Sequence, residues 1–355
     1  MRILFVTGSV DRSEAALCEA LVGAGDHVEV AGNPKAETRD MLVAAGVRVT
    51  PISTEKRERA GAVRAVRKRL EEGRFDIVHA QGKRTLAIAL RAARDLRVKV
   101  TAYRGIVGNV RWSNWGARRL YRDRRISRIV CVCDAVREAL RAIGIPQSCL
   151  VTVYKGHDTA WYNPVPREAL VELGVPPEAF VVACVASMRP RKGVPVLVEA
   201  VGRLRDRGIH LLLVGDVRDV RIPRAVRRLA LDSIVHTTGF RRDAPALAGT
   251  CDAFVMPSLR REGLARSVIE AMAQGVPPVV TNVGGLPELV VDGESGLVVP
   301  PNDPDALARA IQSLLDDASL RSRLGQAARQ RIEAHFHVRD YIQRMRALFQ
   351  ETLKQ

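Results

Sequence analysis

Apolar runs of β type recur along the chain, and most are separated by segments of helical period. RILFVTG (2–8), HVEVAG (27–32), VRVTPI (47–52), DIVHAQ (76–81), VKVTAYRG (98–105), RIVCVCD (128–134) and LVTVYKG (150–156) read as strands. SEAALCEALVGAG and TLAIALRAARDL, between them, repeat apolar residues three and four apart, the spacing of one helix face. Near-continuous apolar strands alternating with amphipathic helices predict a parallel, doubly wound sheet covered on both faces. The pattern breaks where prolines cluster in WYNPVPREALVELGVPPEAF (161–180). A second series follows: FVVACVAS (180–187), HLLLVGD (210–216), IVHTTGF (234–240), AFVMPS (253–258), PPVVTN (277–282) and GLVVP (296–300). The expected architecture is α/β: two Rossmann-like, doubly wound domains, 1–165 and 166–335, facing a central cleft that holds a ligand. The tail is helical from about Asp305, and its last helix, about 336–355, is expected to pack on the first domain.

Composition narrows the class. Apolar residues make up 47% and charged residues 27% of the 355, ordinary for a globular protein with two cores. No apolar run approaches the ~18 residues of a membrane span. MRILFVTGSVDRSEAAL has no small-residue cleavage site and reads as a first strand, so a cytoplasmic protein is expected. Cys18, Cys131, Cys133, Cys149, Cys184 and Cys251 show no zinc-ligand spacing and read as reduced, mostly buried thiols. The formal charge of +17 is uneven: residues 1–165 hold 30 Lys+Arg against 17 Asp+Glu, and residues 166–355 hold 26 against 22. A basic first half suits an anionic partner: a membrane surface, a phosphorylated glycolipid or a nucleic acid.

The chemistry concentrates in REGLARSVIEAMAQGVPPVV (261–280), where Glu262 and Glu270 stand eight positions apart. On one continuous helix they would lie about 80° apart around the axis and about 12 Å along it, too far to serve one atom. PSLREG is turn-like and SVIEAMAQG helical, with Gly275 as a C-cap. With Glu262 in the loop, the loop amides and the helix start suit phosphate or sugar oxygens, and each glutamate reaches hydroxyls on a different part of one ligand. A solvated helix start with ordinary first-turn acids gives the same spacing. In VASMRPRKGVPVLVEA (185–200) a strand ends near Ser187 and a helix begins near Val194, placing Lys192 and Gly193 at the turn. A lysine there can neutralise a diphosphate leaving group; a solvated basic loop is the alternative.

REGLARSVIEAMAQGVPPVVTNVGGLPELVVDGESGLVVPPNDPDALARAI resembles the C-terminal signature of the family-4 retaining glycosyltransferases, which have the GT-B fold. The likeness is strongest over about 255–311, centres on the Glu-x7-Glu pair, and runs more faintly from the first strand and its Gly8 loop to the last helix. It implies that Glu262 binds donor-sugar hydroxyls and that the backbone of Gly263, Leu264 and Ala265, leading into Arg266, lines sugar and phosphates. Glu270 would then hold the ribose, and Lys192 the diphosphate. Relatives commonly carry an arginine five positions before this lysine; here Ser187 stands there, with Arg189 and Arg191 displaced towards the lysine, and Arg189 is expected to take over part of its charge. In VTAYRGIVG (100–108), Arg104 and Gly105 occupy the place of the family's His-Gly pair beside the donor sugar. A fixed charge there favours an anionic substrate, unless Arg104 pairs with a carboxylate. HTTGFRRDAP resembles the segment against the nucleobase, making Gly239, Phe240 and Arg241 candidates. His79, taken as a strand-end residue facing the cleft, is given no catalytic role. Asp303-Pro-Asp305 matches a metal-binding Asp-x-Asp pattern but reads as a turn and helix cap, so no metal is expected.

RWSNWGARRLYRDRRISR (111–128) carries seven arginines and one acid. Its Arg111, Trp112, Trp115, Arg118, Arg119 and Arg122 suit an anionic membrane or acceptor surface. KRERAGAVRAVRKRL (56–70) sets Ala62, Val63, Val66 and Leu70 on one face of a second basic segment. In both, the apolar positions can equally face the core with the arginines solvated outside. Nucleic-acid binding shares this footprint, but no groove-reading module is present and aromatics are only 4%, so no nucleic acid is expected. The resemblance implies a metal-independent glycosyltransferase that retains anomeric configuration, the leaving phosphate taking the acceptor proton. The expected donor is a nucleoside-diphosphate sugar, UDP first. The expected acceptor is a glycan or glycolipid, as in lipopolysaccharide biosynthesis, reached from the inner face of the cytoplasmic membrane. A sugar-nucleotide epimerase or a phosphorylase of the same fold is the alternative.

Overall fold

A computed structural model describes residues 1–55, 57–108 and 114–354. Arg111 and Trp112 therefore lie outside the described residues. Two compact units emerge, Met1–Gly156 with Val338–Gln355, and His157–His337.

Among the described residues, the first unit is built on a seven-stranded sheet and the second on a six-stranded one. The first contains β1 (Arg2–Thr7), β2 (His27–Ala31), β3 (Arg48–Thr50), β4 (Ile77–Gln81), β5 (Lys99–Arg104), β6 (Ile126–Cys131) and β7 (Leu150–Thr152). The second contains β8 (Phe180–Val185), β9 (Ile209–Val214), β10 (Val235–Gly239), β11 (Ala253–Met256), β12 (Pro278–Thr281) and β13 (Leu297–Val299). The orders are β3-β2-β1-β4-β5-β6-β7 and β10-β9-β8-β11-β12-β13, and every pairing is parallel. In each sheet the order reverses beside the first strand, the switch point where loops at the carboxyl ends diverge and ligands bind in such folds.

The central strands are apolar throughout because both faces are covered. Ile3, Leu4, Phe5 and Val6 of β1, and Val181, Val182, Ala183 and Cys184 of β8, are all buried. The helix Arg12–Gly23 starts with a reciprocal cap, Asp11 accepting from the Glu14 amide while the Glu14 carboxylate accepts from the Asp11 amide. The helix Val338–Leu353 belongs to the first unit. Its Tyr341, Met345, Leu348 and Phe349 join Phe5, Leu17 and Leu21 in one apolar cluster.

That packing revises the place of His79. It lies mid-strand in β4, buried and edge-on between the rings of Phe5 (5.3 Å) and Phe349 (5.3 Å), with Nδ1 2.9 Å from the Thr101 hydroxyl. The strand-end position in the cleft is corrected: the C-terminal helix covers this face of the sheet. The basic segment after Lys56 forms the helix Arg59–Gly73, with Ala62, Val66 and Leu70 in the core. Arg67 pairs with Glu71, and Arg69 with Glu29 and Glu72, so much of its charge is met locally.

Candidate functional site

Three loops of the second unit converge beyond the carboxyl ends of β8, β11 and β12, which are neighbours in the sheet. Close backbone approaches tie them. Gly193, at φ +69°, leaves no room for a Cβ because the Pro257 carbonyl oxygen occupies that space. Gly284, at φ +61°, stands in the same way against the Glu262 carbonyl oxygen. Both positions need glycine for its conformation and for its missing side chain. The Leu259 amide donates to the Arg191 carbonyl (2.9 Å), and the Thr281 hydroxyl donates to the Ser258 carbonyl (2.6 Å).

Glu262 sits at the centre of this arrangement, only 5% exposed. It follows Arg261, held in the left-handed region at φ +65°. One oxygen, Oε2, collects the donors: Lys192 Nζ at 2.9 Å, the Ser258 hydroxyl at 2.8 Å, and Arg191 Nη1 at 3.6 Å. No donor among the described residues reaches Oε1. A buried carboxylate needs such compensation, and the arrangement leaves one oxygen turned to other partners.

Glu270 lies in the helix Arg266–Ala273, buried on its inner side, with Oε1 3.2 Å from Arg266 Nε one turn earlier. Glu262 is thus in the loop and Glu270 in the helix. Ala265 is the N-cap and supplies no side-chain acceptor; the Val268 amide donates to the Ala265 carbonyl (3.0 Å), and the amides of Arg266 and Ser267 are left for another acceptor. Gly263 is buried and Leu264 half-buried. Ser187 and Arg189 are both exposed in the loop after β8. At the end of β10, Gly239 adopts φ +69°, Phe240 is 65% exposed, and Arg241 pairs with Asp243 at 2.6 Å. The loops therefore bring together Lys192, Glu262 and the start of the Glu270 helix. Ser258 and Arg191 complete the cluster. Arg191 is visible in the sequence as a charge displaced towards Lys192, but not its place against Glu262; the one signal for Ser258 is its position four residues before Glu262.

Gly8 is exposed just after β1 in the first unit. Arg104, at the end of β5, is buried, with Nε on the Ile106 carbonyl (2.9 Å), Nη1 on the Tyr121 hydroxyl (3.1 Å) and the guanidinium 5.4 Å from the Tyr121 ring. Among the described residues no carboxylate pairs with it, so the expected alternative of a carboxylate partner gives way to carbonyls and a phenol. On the short helix Trp115–Tyr121, Trp115 is 79% exposed with the Arg118 guanidinium 5.9 Å from its ring, while Tyr121 turns into the core. Arg119 and Arg122 are exposed. Among the described residues no helix is long and apolar enough to cross a membrane. Asp303 caps the helix Pro304–Asp316 by accepting from the amides of Asp305 and Ala306, and Asp305 pairs with Arg203.

Comparison with known proteins gives two family matches. Residues 10–161 match the family described as Glycosyltransferase Family 4, and residues 179–317 that described as Glycosyl transferases group 1. The chain is 35% identical over 191 residues to a D-inositol 3-phosphate glycosyltransferase of Corynebacterium efficiens, covering 50% of this chain and 45% of that one. It is 35% identical over 167 residues to the lipopolysaccharide core biosynthesis glycosyltransferase LpsE of Rhizobium meliloti, covering 46% and 48%. The matched region thus spans about half the length of these relatives. Among solved structures, Anabaena Alr3699/HepE in complex with UDP-glucose superposes with a TM-score of 0.85 at 22% identity, covering 99% of this chain and 100% of that one. A glycosyltransferase from Rickettsia africae superposes with a TM-score of 0.85 at 20% identity, covering 99% and 98%. The two parallel sheets with their helices are the GT-B fold.

Proposed function

We propose, for a chain that belongs to the family-4 glycosyltransferases, that it transfers a sugar from a nucleoside-diphosphate sugar to a glycan or glycolipid acceptor with retention of configuration. The observation that carries this reading is the buried Glu262 carboxylate, fixed through one oxygen by Lys192 and Ser258 beside an uncapped helix start. Oε1 accepts from donor-sugar hydroxyls. The Arg266 and Ser267 amides at the start of the helix Arg266–Ala273 meet the phosphates, and Glu270 accepts from the ribose. Lys192 turns from Glu262 to the diphosphate as negative charge grows on the leaving group. Such stabilisation asks for a cation and amides already in place, and needs no metal ion. The departing phosphate takes the acceptor proton, so no side chain has to act as a base.

UDP is the proposed nucleotide, supported by the UDP-glucose complex of the Anabaena neighbour. A bacterial envelope acceptor is supported by LpsE and by the basic first unit. Arg118, Arg119 and Arg122 around the exposed Trp115 are proposed to hold the protein against an anionic cytoplasmic membrane face. The test is a thermal-shift screen against UDP-, GDP-, ADP- and TDP-sugars, followed by product analysis with the donor that binds. A ligand specific for the native state at a hundred times its Kd adds about 2.7 kcal/mol of stability by mass action. No shift with any of the four contradicts the proposal, as do isomerised sugar nucleotide or orthophosphate dependence in place of transfer.

A further inference from the structure

We infer that Arg191 is a positioning residue for Glu262: it replaces Lys192 on the carboxylate once Lys192 has turned to a bound diphosphate. The inference rests on the donor-binding role proposed above and adds a residue to it.

Three features carry it. First, Lys192 is already engaged, its ammonium 2.9 Å from Glu262 Oε2. A diphosphate that draws this lysine away leaves a carboxylate that is 5% exposed with only the Ser258 hydroxyl on it. A buried carboxylate in that condition is costly, and the cost weakens whatever ligand causes it.

Second, Arg191 Nη1 is buried, has no hydrogen-bond partner, and stands 3.6 Å from the same oxygen. That is just beyond hydrogen-bond range, so a shift of under about 1 Å completes the bond. The vacancy Lys192 would leave lies next to an unsatisfied donor. The guanidinium fork suits a carboxylate, while the compact ammonium on its flexible stem is free to follow a phosphate.

Third, the backbone around the exchange is anchored. The Arg191 carbonyl accepts from the Leu259 amide (2.9 Å), which ties Arg191 to the loop bearing Glu262. Ser258 is fully buried, gives its single proton to Glu262, and has its own carbonyl held by Thr281. Glu262 therefore keeps its orientation while the cations exchange, and Oε1 remains the atom offered to the donor sugar.

The test is a double-mutant cycle read by UDP affinity in the full-length protein. UDP, GDP, ADP and TDP are titrated first into the wild type, and the tightest is carried forward. Arg191→Met is expected to weaken it about tenfold, the loss that follows from stranding a buried charged acceptor. In a Glu262→Gln background, where no carboxylate is stranded, Arg191→Met is expected to change affinity less than about twofold. Arg191→Lys, which keeps a cation but loses the guanidinium fork, is expected to restore part of the loss in the wild-type background. Equal losses in both backgrounds overturn the inference, because Arg191 then contacts phosphate directly. So do unchanged affinity in Arg191→Met and no rescue by lysine. A wild type that binds none of the four nucleotides overturns the proposed function, and this inference with it.

Discussion

Lys192→Met keeps most of the side-chain length and removes the charge that faces Glu262. The pair is separated by 2.9 Å, with side chains 12% and 7% exposed. At an effective dielectric constant near 20, the Coulomb attraction at that distance is about 6 kcal/mol before desolvation is subtracted. Deleting one partner of a buried pair costs roughly 3–5 kcal/mol when nothing replaces it. Here the Ser258 hydroxyl remains, and Arg191 is 3.6 Å away, so a destabilisation of about 2–3 kcal/mol is expected. Turnover should fall by about 10²–10³, because the cation that meets the leaving diphosphate is gone. Urea unfolding of the wild type, Lys192→Met, Glu262→Gln and the double variant measures the first quantity, and steady-state transfer the second. Lys192→Met should lose much less stability in the Glu262→Gln background, because no carboxylate is stranded there. Stability within about 0.5 kcal/mol of wild type would show that the ion pair is not the constraint described. Near-normal turnover would refute the diphosphate role.

Glu262→Ala is expected to abolish transfer while sparing UDP binding, and Glu270→Ala to weaken UDP itself; calorimetric titration of both separates sugar from ribose contacts. Gly284→Ala places a methyl group on the Glu262 carbonyl and strains a residue at φ +61°. It should lower activity more than Gly293→Ala, at φ +72° but with open space around it, and equal effects would deny a steric origin. Burial pushes the His79 imidazole down to about 3 from 6.5, with Lys155 adding to the shift. The unfolded chain gains that proton below pH 6.5 while the folded one refuses it, so stability falls as pH drops from 6.5 towards 3, at about 1.4 kcal/mol per pH unit. Between pH 7 and 4.5, wild type should therefore lose about 2–3 kcal/mol more than His79→Gln, and parallel urea curves would contradict this. Trp115→Ser combined with Arg119→Gln and Arg122→Gln should reduce cosedimentation with phosphatidylglycerol vesicles and leave UDP binding intact; unchanged cosedimentation would remove the membrane proposal.

Both strand series are readable from the sequence because parallel strands covered on both faces become uninterrupted apolar runs. Their ends are less legible. LVTVYKG looks like strand to Gly156, yet pairing stops at Thr152. The following residues turn so that Lys155 reaches Asp11 and Glu14, at 2.5 Å and 2.7 Å, across more than a hundred residues of chain. Helical period places Glu270 in a helix and turn chemistry leaves Glu262 before it, so the loop-then-helix arrangement needs only local information. His79 shows the opposite. Its neighbours in sequence describe an ordinary strand, and only the distant Phe349 decides that its ring is enclosed.

The same distinction separates Ser258, and the contact that Arg191 makes, from Lys192 and Glu262. Lys192 and Glu262 stand out by residue type at turns, whereas the roles of Arg191 and Ser258 depend on how close three loops come. That closeness is set by backbone atoms. A methyl group at Gly193 would strike the Pro257 carbonyl, and one at Gly284 the Glu262 carbonyl. Neither glycine carries chemistry, yet each fixes a distance that a charged side chain exploits. Because the loops are locked in this way, Glu262 is already held by Lys192 and Ser258 in the absence of ligand, and the proposed exchange asks for movement of the cations around it. In the proposed mechanism binding energy is then directed to the exchange of Lys192 between carboxylate and phosphate, which would couple donor recognition to the charge that develops when the sugar departs.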